Sequence, residues 1–269
     1  MNDRAVPLAV VGNISRDITR YSSAYKTSLG GAALHIALAA GRAGLPAAPV
    51  AVIGPDLDHL RTDPRLNGVD WSATATHAGK STTFTLTYNE SDELVGLDAD
   101  YGVAANLTEH ALTQIRTGFA CAYHVCCRRP LDIPTVLDAL IQSDHPFSID
   151  FMISSAHVAV AATKHLIHHA DPVFVNAAEH ELLTAMADAP RTVITTDGPR
   201  PVRLFHHGRL AATITPPPAA AVEVTGAGDT LTGTFLAARA GLSDRDALQL
   251  AIAAATHHIT TPRLAIEPP

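Results

Sequence analysis

The feature that most constrains the fold is a series of short apolar segments separated by helical patterns. Each segment has the length of a strand and is almost continuously apolar, which is typical of strands buried on both faces of a sheet. The segments are 5–12, 49–54, 120–126, 146–150, 172–176 and 191–195. Helical patterns lie between several of them, at 30–44, 133–142, 156–169 and 179–187. Strands that alternate with helices predict an α/β fold with a mostly parallel central sheet.

Two parts of the chain depart from this alternation. Residues 81–88 alternate polar and apolar side chains, and an apolar segment resumes at 94–97, which predicts a hairpin exposed on one face. The C-terminal part contains a loop at 216–223 and two Ala-rich helices at 229–240 and 244–260. No internal repeat or linker interrupts the pattern, so we expect a single domain.

Composition excludes several classes of protein. The chain has 19 basic and 26 acidic side chains and a formal charge of −7, which does not suit a nucleic-acid binder. Its apolar runs are shorter than the roughly 18 residues of a membrane span, and the stretch at 5–11 is too short for a signal peptide. The 3 cysteines are too few for a disulfide framework. We therefore expect a cytoplasmic protein without nucleic-acid or membrane partners.

The strongest local motif is Thr225-Gly226-Ala227-Gly228-Asp229, which leads directly into a predicted helix. Glycines let the backbone approach a ligand closely, and the free N–H groups at a helix N-terminus bind anions. An aspartate there would repel a bound phosphate unless its task is to accept a proton from an attacking hydroxyl. The motif therefore predicts phosphoryl transfer, and the alternative is an ordinary helix start with Asp near the N-cap.

Other motifs precede this one along the chain. They are Gly12 followed by Asp17, Gly30-Gly31 at the start of an Ala-rich helix, Asn176-x-x-Glu179 at a strand end, and Thr196-x-Gly198 after the next strand. In this order, and with the glycine-rich motif, they resemble the ribokinase-like (PfkB) family of sugar and nucleoside kinases over essentially the whole chain. The resemblance implies a single kinase domain over 1–269 with a three-layer α/β/α fold. It also implies a small β lid over the substrate, formed by about 14–29 and 81–97.

The resemblance further implies a role for each residue that matches a motif of the family. Asp229 would be the catalytic base, and Gly226, Ala227 and Gly228 would donate N–H groups to the transferring phosphoryl. Thr196, Gly198 and Thr225 would lie along ATP, and Asn176 and Glu179 would arrange Mg²⁺ through water. Asp17, Gly30, Gly31, His35 and Asp150 would hold the acceptor.

Two departures from the family's pattern concern the acceptor and the loop. His35 stands where the family usually has Asn, and an imidazole reaches further than an amide and can gain a proton. We therefore expect an acceptor bulkier than a plain pentose, with a nucleoside favoured over free ribose. Glu223 stands where the family usually has Asp, so its extra methylene is expected to shift the glycine-rich loop.

The leading hypothesis is an ATP- and Mg²⁺-dependent kinase that phosphorylates a primary hydroxyl of a sugar or nucleoside, as a monomer or as a homodimer through the lid. One alternative is a kinase of another small polyol, such as an inositol or a sugar acid. Another is a non-catalytic sugar- or nucleoside-binding protein on the same fold. Cys121, Cys126 and Cys127, with His124 between them, are predicted to be buried thiols and not a zinc site, because adjacent strand residues point to opposite faces.

Overall fold

The structure is a computed structural model and describes residues 5–21, 25–89 and 94–261. The strands are β1 (Val6–Val11), β2 (Ser15–Arg20), β3 (Tyr25–Gly30), β4 (Ala47–Ile53), β5 (Thr74–Thr76), β6 (Thr82–Tyr88), β7 (Leu94–Asp100), β8 (Ala120–Cys127), β9 (Phe147–Phe151), β10 (Val173–Asn176), β11 (Thr192–Asp197), β12 (Arg200–His206) and β13 (Arg209–Ile214). The α-helices are α1 (Ala32–Arg42), α2 (Leu107–Arg116), α3 (Ile133–Gln142), α4 (Ile153–Thr163), α5 (Ala177–Met186), α6 (Ala227–Ala238) and α7 (Asp244–Ile259). Short 3₁₀ helices lie at Pro55–Thr62, Pro64–Leu66, Trp71–Ala73, Gly102–Asn106 and Ile167–His169.

The central sheet is mostly parallel. Within the described residues it has nine strands in the order β13-β12-β11-β10-β9-β8-β1-β4-β5. The strands from β11 to β5 in this order pair in parallel, and β12 and β13 add an antiparallel edge. Parallel strands have their carboxyl ends at one edge of a sheet, so the residues that end or follow β1, β8, β9, β10 and β11 come together there.

Helices cover both faces of this sheet. Ala9 and Val11 of β1 belong to a core that also contains buried side chains of α2, α3, α4 and α5. Leu8 and Val10 of the same strand point the other way and pack with α1, which itself contacts α6. Burial of both faces explains why the strands are nearly continuous apolar runs. The arrangement confirms the predicted α/β fold with three layers. None of the helices in the described ranges is long and apolar enough to cross a membrane.

A second, four-stranded sheet stands apart from the central one, in the order β3-β2-β6-β7. β2 and β6 pair in parallel, and each forms an antiparallel pair with its own neighbour. The sheet is built from the two segments that the resemblance assigned to a lid, although β7 extends further than expected. Residues 22–24 and 90–93 of that predicted lid lie outside the described residues. Its action as a lid stays a prediction.

Some elements differ from the sequence-based expectation. The hairpin of β12 and β13 was not predicted, although its turn contains His207 and Gly208, both with positive φ, as tight hairpin turns require. Helix α2 was also missed, because its buried face is narrow and its other residues are polar. The helix predicted at 156–169 is α4, which is shorter and is followed by a separate 3₁₀ turn.

Candidate active site

The segment 225–229, which we call the glycine-rich loop, contains the start of α6. Gly226 has a φ of 84°, in the left-handed region, and the helix begins at Ala227. The Ala227 N–H donates to the Val224 carbonyl at 3.2 Å, so this donor, expected to face a phosphoryl group, is occupied within the loop. The amides of Gly226 and Gly228 have no hydrogen-bond partner in the described part of the chain. They are therefore available to an anion at the positive end of α6.

Two side chains hold this loop from behind. The Glu223 carboxylate accepts a hydrogen bond from the Thr225 N–H at 2.9 Å. The Nε2 atom of His258, on α7, lies 2.8 Å from the Thr225 carbonyl oxygen, so His258 donates there as the Nε2–H tautomer or as the cation. The backbone of Thr225 thus serves the loop itself, and its exposed side chain is what remains for a nucleotide contact. The longer side chain of Glu223 fits at this position, and its carboxylate stabilises the loop through this hydrogen bond.

Arg128 and Asp150 form a largely buried ion pair at the carboxyl edge of the sheet. Arg128 follows β8 and Asp150 lies in β9, and the guanidinium donates to the Asp150 carboxylate at close range. Burial opposes the charge of each, but their mutual attraction outweighs it, so the pKa of Arg128 is raised and that of Asp150 is lowered. Asp229 is near enough to add to the rise in the pKa of Arg128. The structure thus brings Asp229, Arg128 and Asp150 into one charged cluster.

Asn176 and Glu179 form a capping box at the start of α5. The Asn176 side chain accepts from the Glu179 N–H at 2.9 Å, and the Glu179 carboxylate accepts from the Asn176 N–H at 2.8 Å. Glu179 is 3 % exposed, and burial raises its pKa from 4.5 to about 7 against the lowering effect of that hydrogen bond. Asp150 raises the pKa of Glu179 further, so the two carboxylates lie in the same region.

Two of the residues expected to hold the acceptor, Asp17 and Gly30, lie against each other. Asp17 is 8 % exposed and accepts from the Ser15 hydroxyl at 2.8 Å. A Cβ atom at Gly30 would overlap the Asp17 carboxylate, so only glycine allows β3 to approach it. Gly31 has a φ of 100°, and a Cβ atom there would overlap the Asn13 carbonyl. Gly30 therefore leaves room for the Asp17 carboxylate, and Gly31 leaves room for the backbone of Asn13.

Asn13 connects this region to the charged cluster. It follows β1, and its side-chain amide donates to the Arg129 carbonyl at 3.0 Å. Its Oδ1 atom is buried and has no hydrogen-bond partner within the described residues, which leaves it free to accept from a ligand. Asn13 thus ties the end of β1 to the residue that follows Arg128.

His35 lies close to the glycine-rich loop, and its role toward the acceptor stays a prediction. It lies in the first turns of α1, and its Cγ atom would be 3.9 Å from a Cβ atom built at Gly226. The ring therefore borders the glycine-rich loop as well as the helix start beside Gly31. A side chain at this point can influence both the acceptor and the phosphoryl group.

A cavity of about 830 Å³ opens on the outer side of the glycine-rich loop. Thr196, Gly198, Ala227 and Gly228 line it on one side. The rest of the wall is mostly apolar and comes from the proline-rich loop, α6 and α7: Pro216, Pro217, Pro218, Leu231, Ile252 and Ile259. A mostly apolar cleft with a few polar groups at one end suits a flat heterocycle joined to a charged group.

Comparison of the sequence with known protein families shows which family the chain belongs to. The model of the pfkB family carbohydrate kinases matches residues 7–268. The chain belongs to this family. No curated protein sequence matches it closely enough to count as a relative.

Solved structures with the same fold include several kinases of small molecules. A nucleoside kinase of Burkholderia thailandensis, in complex with inosine, has a TM-score of 0.79 at 18% identity, covering 94% of this chain and 91% of that one. An Arabidopsis thaliana ribokinase with ribose and ATP has a TM-score of 0.78 at 20% identity, covering 97% and 95%. An Escherichia coli protein assigned as a ribokinase II, with ATP and Mg²⁺, has a TM-score of 0.75 at 16% identity, covering 96% and 94%. At these identities the likeness establishes the shared fold.

Sequence reasoning missed three polar residues of this PfkB site. Asn13 and Arg128 each follow a buried strand at the carboxyl edge of the sheet, and that position is the signal that could have found them. His258 had no such signal, because it comes from the last turn of α7 and reaches the loop only through tertiary packing.

Proposed function

We propose that this PfkB protein is an ATP- and Mg²⁺-dependent kinase that transfers the γ-phosphate to a primary hydroxyl of a sugar or nucleoside. The observation that carries the proposal is the placement of Asp229. It lies in the first turn of α6, beside the unoccupied amides of Gly226 and Gly228, and within electrostatic reach of Arg128. A carboxylate so placed can take a proton where an anion is also stabilised, which is what phosphoryl transfer requires.

The roles follow from this geometry. Asp229 accepts the proton of the acceptor hydroxyl. The hydroxyl oxygen attacks the γ-phosphorus, and the bond between the γ-phosphorus and the β-phosphate oxygen breaks. The amides of Gly226 and Gly228 donate to the oxygens of the transferring group, whose negative charge they offset. Arg128 adds a positive charge on the sheet side of the same space, and Asp150 fixes its direction.

The donors near α5 fit a magnesium ion. Mg²⁺ prefers oxygen ligands and keeps several waters, so it needs only one or two carboxylates from the protein. Glu179 supplies a carboxylate oxygen, and the raised pKa of Glu179, to which burial and the nearby charge of Asp150 contribute, reflects a buried negative charge that a cation would relieve. When bound, Mg²⁺ would neutralise charge on the phosphate oxygens. Glu179 and Asn176 would hold it through water.

The cavity beside the glycine-rich loop is proposed as the nucleotide site. Gly228 lies at the junction between the cavity and α6, so a triphosphate could pass from the apolar cleft to the amides of the loop. Thr196 and Gly198, at the β11–β12 turn, also line this cavity and are proposed to lie along the nucleotide. Thr225 is kept as a nucleotide contact through its side chain.

The acceptor is proposed to lie between Asp17 and Asp229. Asp17 can accept hydrogen bonds from two adjacent hydroxyls, and Asn13 offers a further acceptor atom. His35 occupies the wall between this space and the loop, which favours a nucleoside over a plain pentose. The inosine-bound nucleoside kinase with the same fold supports this choice.

The test is ATP consumption with a panel of purine nucleosides, ribose, hexoses, inositols and sugar acids. We expect turnover that requires Mg²⁺ and is highest with a nucleoside. Asp229→Asn should abolish most of this activity, whereas Asp246→Asn, in the first turn of α7, should not. Preferred turnover of an inositol or sugar acid would replace the acceptor assignment. Absence of turnover with every compound, despite binding, would favour a binding protein.

The proposal also covers the oligomeric state and the cellular location of the enzyme. The second sheet exposes Tyr25, Val95 and Leu97, which are 63%, 61% and 57% exposed, and this supports a homodimer through the lid over a monomer. Light scattering would distinguish the two. All three cysteines are free thiols, which fits the cytoplasmic location expected from the sequence.

A further inference from the structure

Three potential metal ligands meet beneath the charged cluster. His124 and Cys126 are two residues apart in β8 and therefore share one face of the sheet, and Asp150 is paired with Cys126 on the neighbouring strand β9. Their exposed fractions are 0%, 1% and 8%. The sequence predicted buried thiols and no zinc site, and only the pairing of β8 with β9 brings Asp150 to Cys126. Cys121 is exposed, so its predicted burial is wrong, and it is not part of the group.

The donor atoms of this group face one another at distances longer than ordinary hydrogen bonds. A ring nitrogen of His124, the thiol Sγ and a carboxylate oxygen lie within 4.8 Å of one another, and His124 Nε2 is 3.6 Å from Asp150 Oδ1. Both of these atoms are buried, and neither has a hydrogen-bond partner in the described residues. Buried polar atoms are normally hydrogen-bonded, so the long contact between these two atoms leaves both able to bind a common occupant.

Neighbouring groups orient two of the three potential ligands. The Nδ1 atom of His124 lies 2.8 Å from the Ser148 hydroxyl, which fixes the ring and can leave Nε2 with its lone pair directed at the other two donors. Arg128 occupies Asp150 Oδ2 and leaves Oδ1 for a further partner. A thiolate and the Asp150 carboxylate would balance a divalent ion, while Asp229 offsets the charge of Arg128.

We propose that His124, Cys126 and Asp150 form a site for a borderline-soft divalent ion of the zinc type. Donors around a tetrahedral zinc lie about 3.3–3.8 Å apart, given bonds of about 2.0–2.3 Å, and the His124–Asp150 spacing of 3.6 Å falls within that range. Sulfur and imidazole donors select zinc over magnesium, so the site is separate from the one at Asn176 and Glu179. Binding replaces the thiol proton of Cys126, which leaves to the solvent. The fourth position is open to water.

The test uses Co²⁺ as a spectroscopic substitute for zinc, in the full chain with excess Mg²⁺. We expect one Co²⁺ per chain with a near-ultraviolet thiolate-to-cobalt charge-transfer band that added Zn²⁺ removes. Cys126→Ser should lose the band, whereas Cys121→Ser, on the same strand but exposed, should keep it. Ser148→Ala should weaken the affinity about tenfold by releasing the His124 ring. No turnover is needed, so the result is independent of the proposed function.

The contrary results are equally definite. A band that survives Cys126→Ser, or that disappears with Cys121→Ser, would place the ion elsewhere and overturn the site. So would the absence of any band at saturating Co²⁺. If Cys126→Ser does not fold, X-ray absorption at the zinc edge of the unmodified chain decides the matter. One sulfur with nitrogen and oxygen ligands supports the site, and nitrogen and oxygen alone refute it, because surface histidines supply no sulfur.

Discussion

Replacement of Glu179 by glutamine is expected to stabilise the folded protein above neutral pH and to leave its stability almost unchanged in acid. Burial raises the pKa of Glu179 from 4.5 to about 7. The folded state therefore binds this proton more tightly than the unfolded chain does. The stabilisation by the proton is complete below about pH 4.5 and is lost as the pH rises to about 7.

The magnitude follows from the two pKa values. A shift from 4.5 to about 7 corresponds to about 3 kcal/mol at pH 8, taken as an upper limit because the buried carboxylate can relax. Glutamine has the same shape and its carbonyl can still accept from the Asn176 N–H, so the capping box is kept. About 1 kcal/mol shifts the Tm of a chain of this size by roughly 2–4 °C, so Glu179→Gln should raise Tm by up to roughly 6–12 °C.

The assay is thermal unfolding from pH 5 to pH 8 in buffer with a chelator, so that no divalent ion screens the carboxylate. The matched control is Glu181→Gln, an exposed residue of the same helix, which should change Tm little at any pH. Equal Tm values for wild type and Glu179→Gln at pH 8 would refute the reasoning. Glu179→Gln should also need a higher Mg²⁺ concentration for turnover. The same substitution would then raise the thermal stability and weaken the function.

The remaining predictions concern the charged cluster and its neighbours. Asp229→Asn should lower kcat by about 10²–10⁴ with little change in nucleotide affinity, as measured by steady-state kinetics and calorimetry. Arg128→Met should destabilise the fold by about 3–5 kcal/mol in denaturant unfolding, because it leaves Asp150 buried and unpaired, and adding Asp150→Asn should recover much of the loss. His35→Asn should change the acceptor KM and, because its ring borders Gly226, also kcat, while the ATP KM changes less.

The sequence predicted the fold more completely than the site. Strands buried on both faces are apolar at nearly every position, so β1, β4, β8 and β9 were visible without any tertiary information. The β12–β13 hairpin lies at an edge of the sheet, and its mixture of polar and apolar residues gave no comparable signal. Asp229 and the glycines around it stand out in the sequence because a helix-entry loop and a carboxylate lie in one short segment, and their catalytic roles stay a prediction.

Other parts of the site depend on strand pairing and could not be predicted. The contact between Arg128 and Asp150 joins residues 22 positions apart and exists because β8 and β9 are neighbours in register. His258 reaches Thr225 across 33 positions for a similar reason. A single sequence carries no record of which strand or helix lies next to which, so these pairs appear only when the layers are assembled.

The charges at the carboxyl edge explain how one site can be both acidic and suited to a triphosphate. Asp150 is neutralised by Arg128, and the raised pKa of Glu179 keeps that carboxyl largely protonated below pH 7. Within the described residues Asp229 forms no close ion pair, and it is less buried than Glu179, so it is the carboxylate left to accept a proton. Asp150 is paired and Glu179 can hold a proton, so the negative charge that would repel a nucleotide is reduced. The burial that raises the pKa of Glu179 therefore also makes it a site where a proton can give way to a divalent cation.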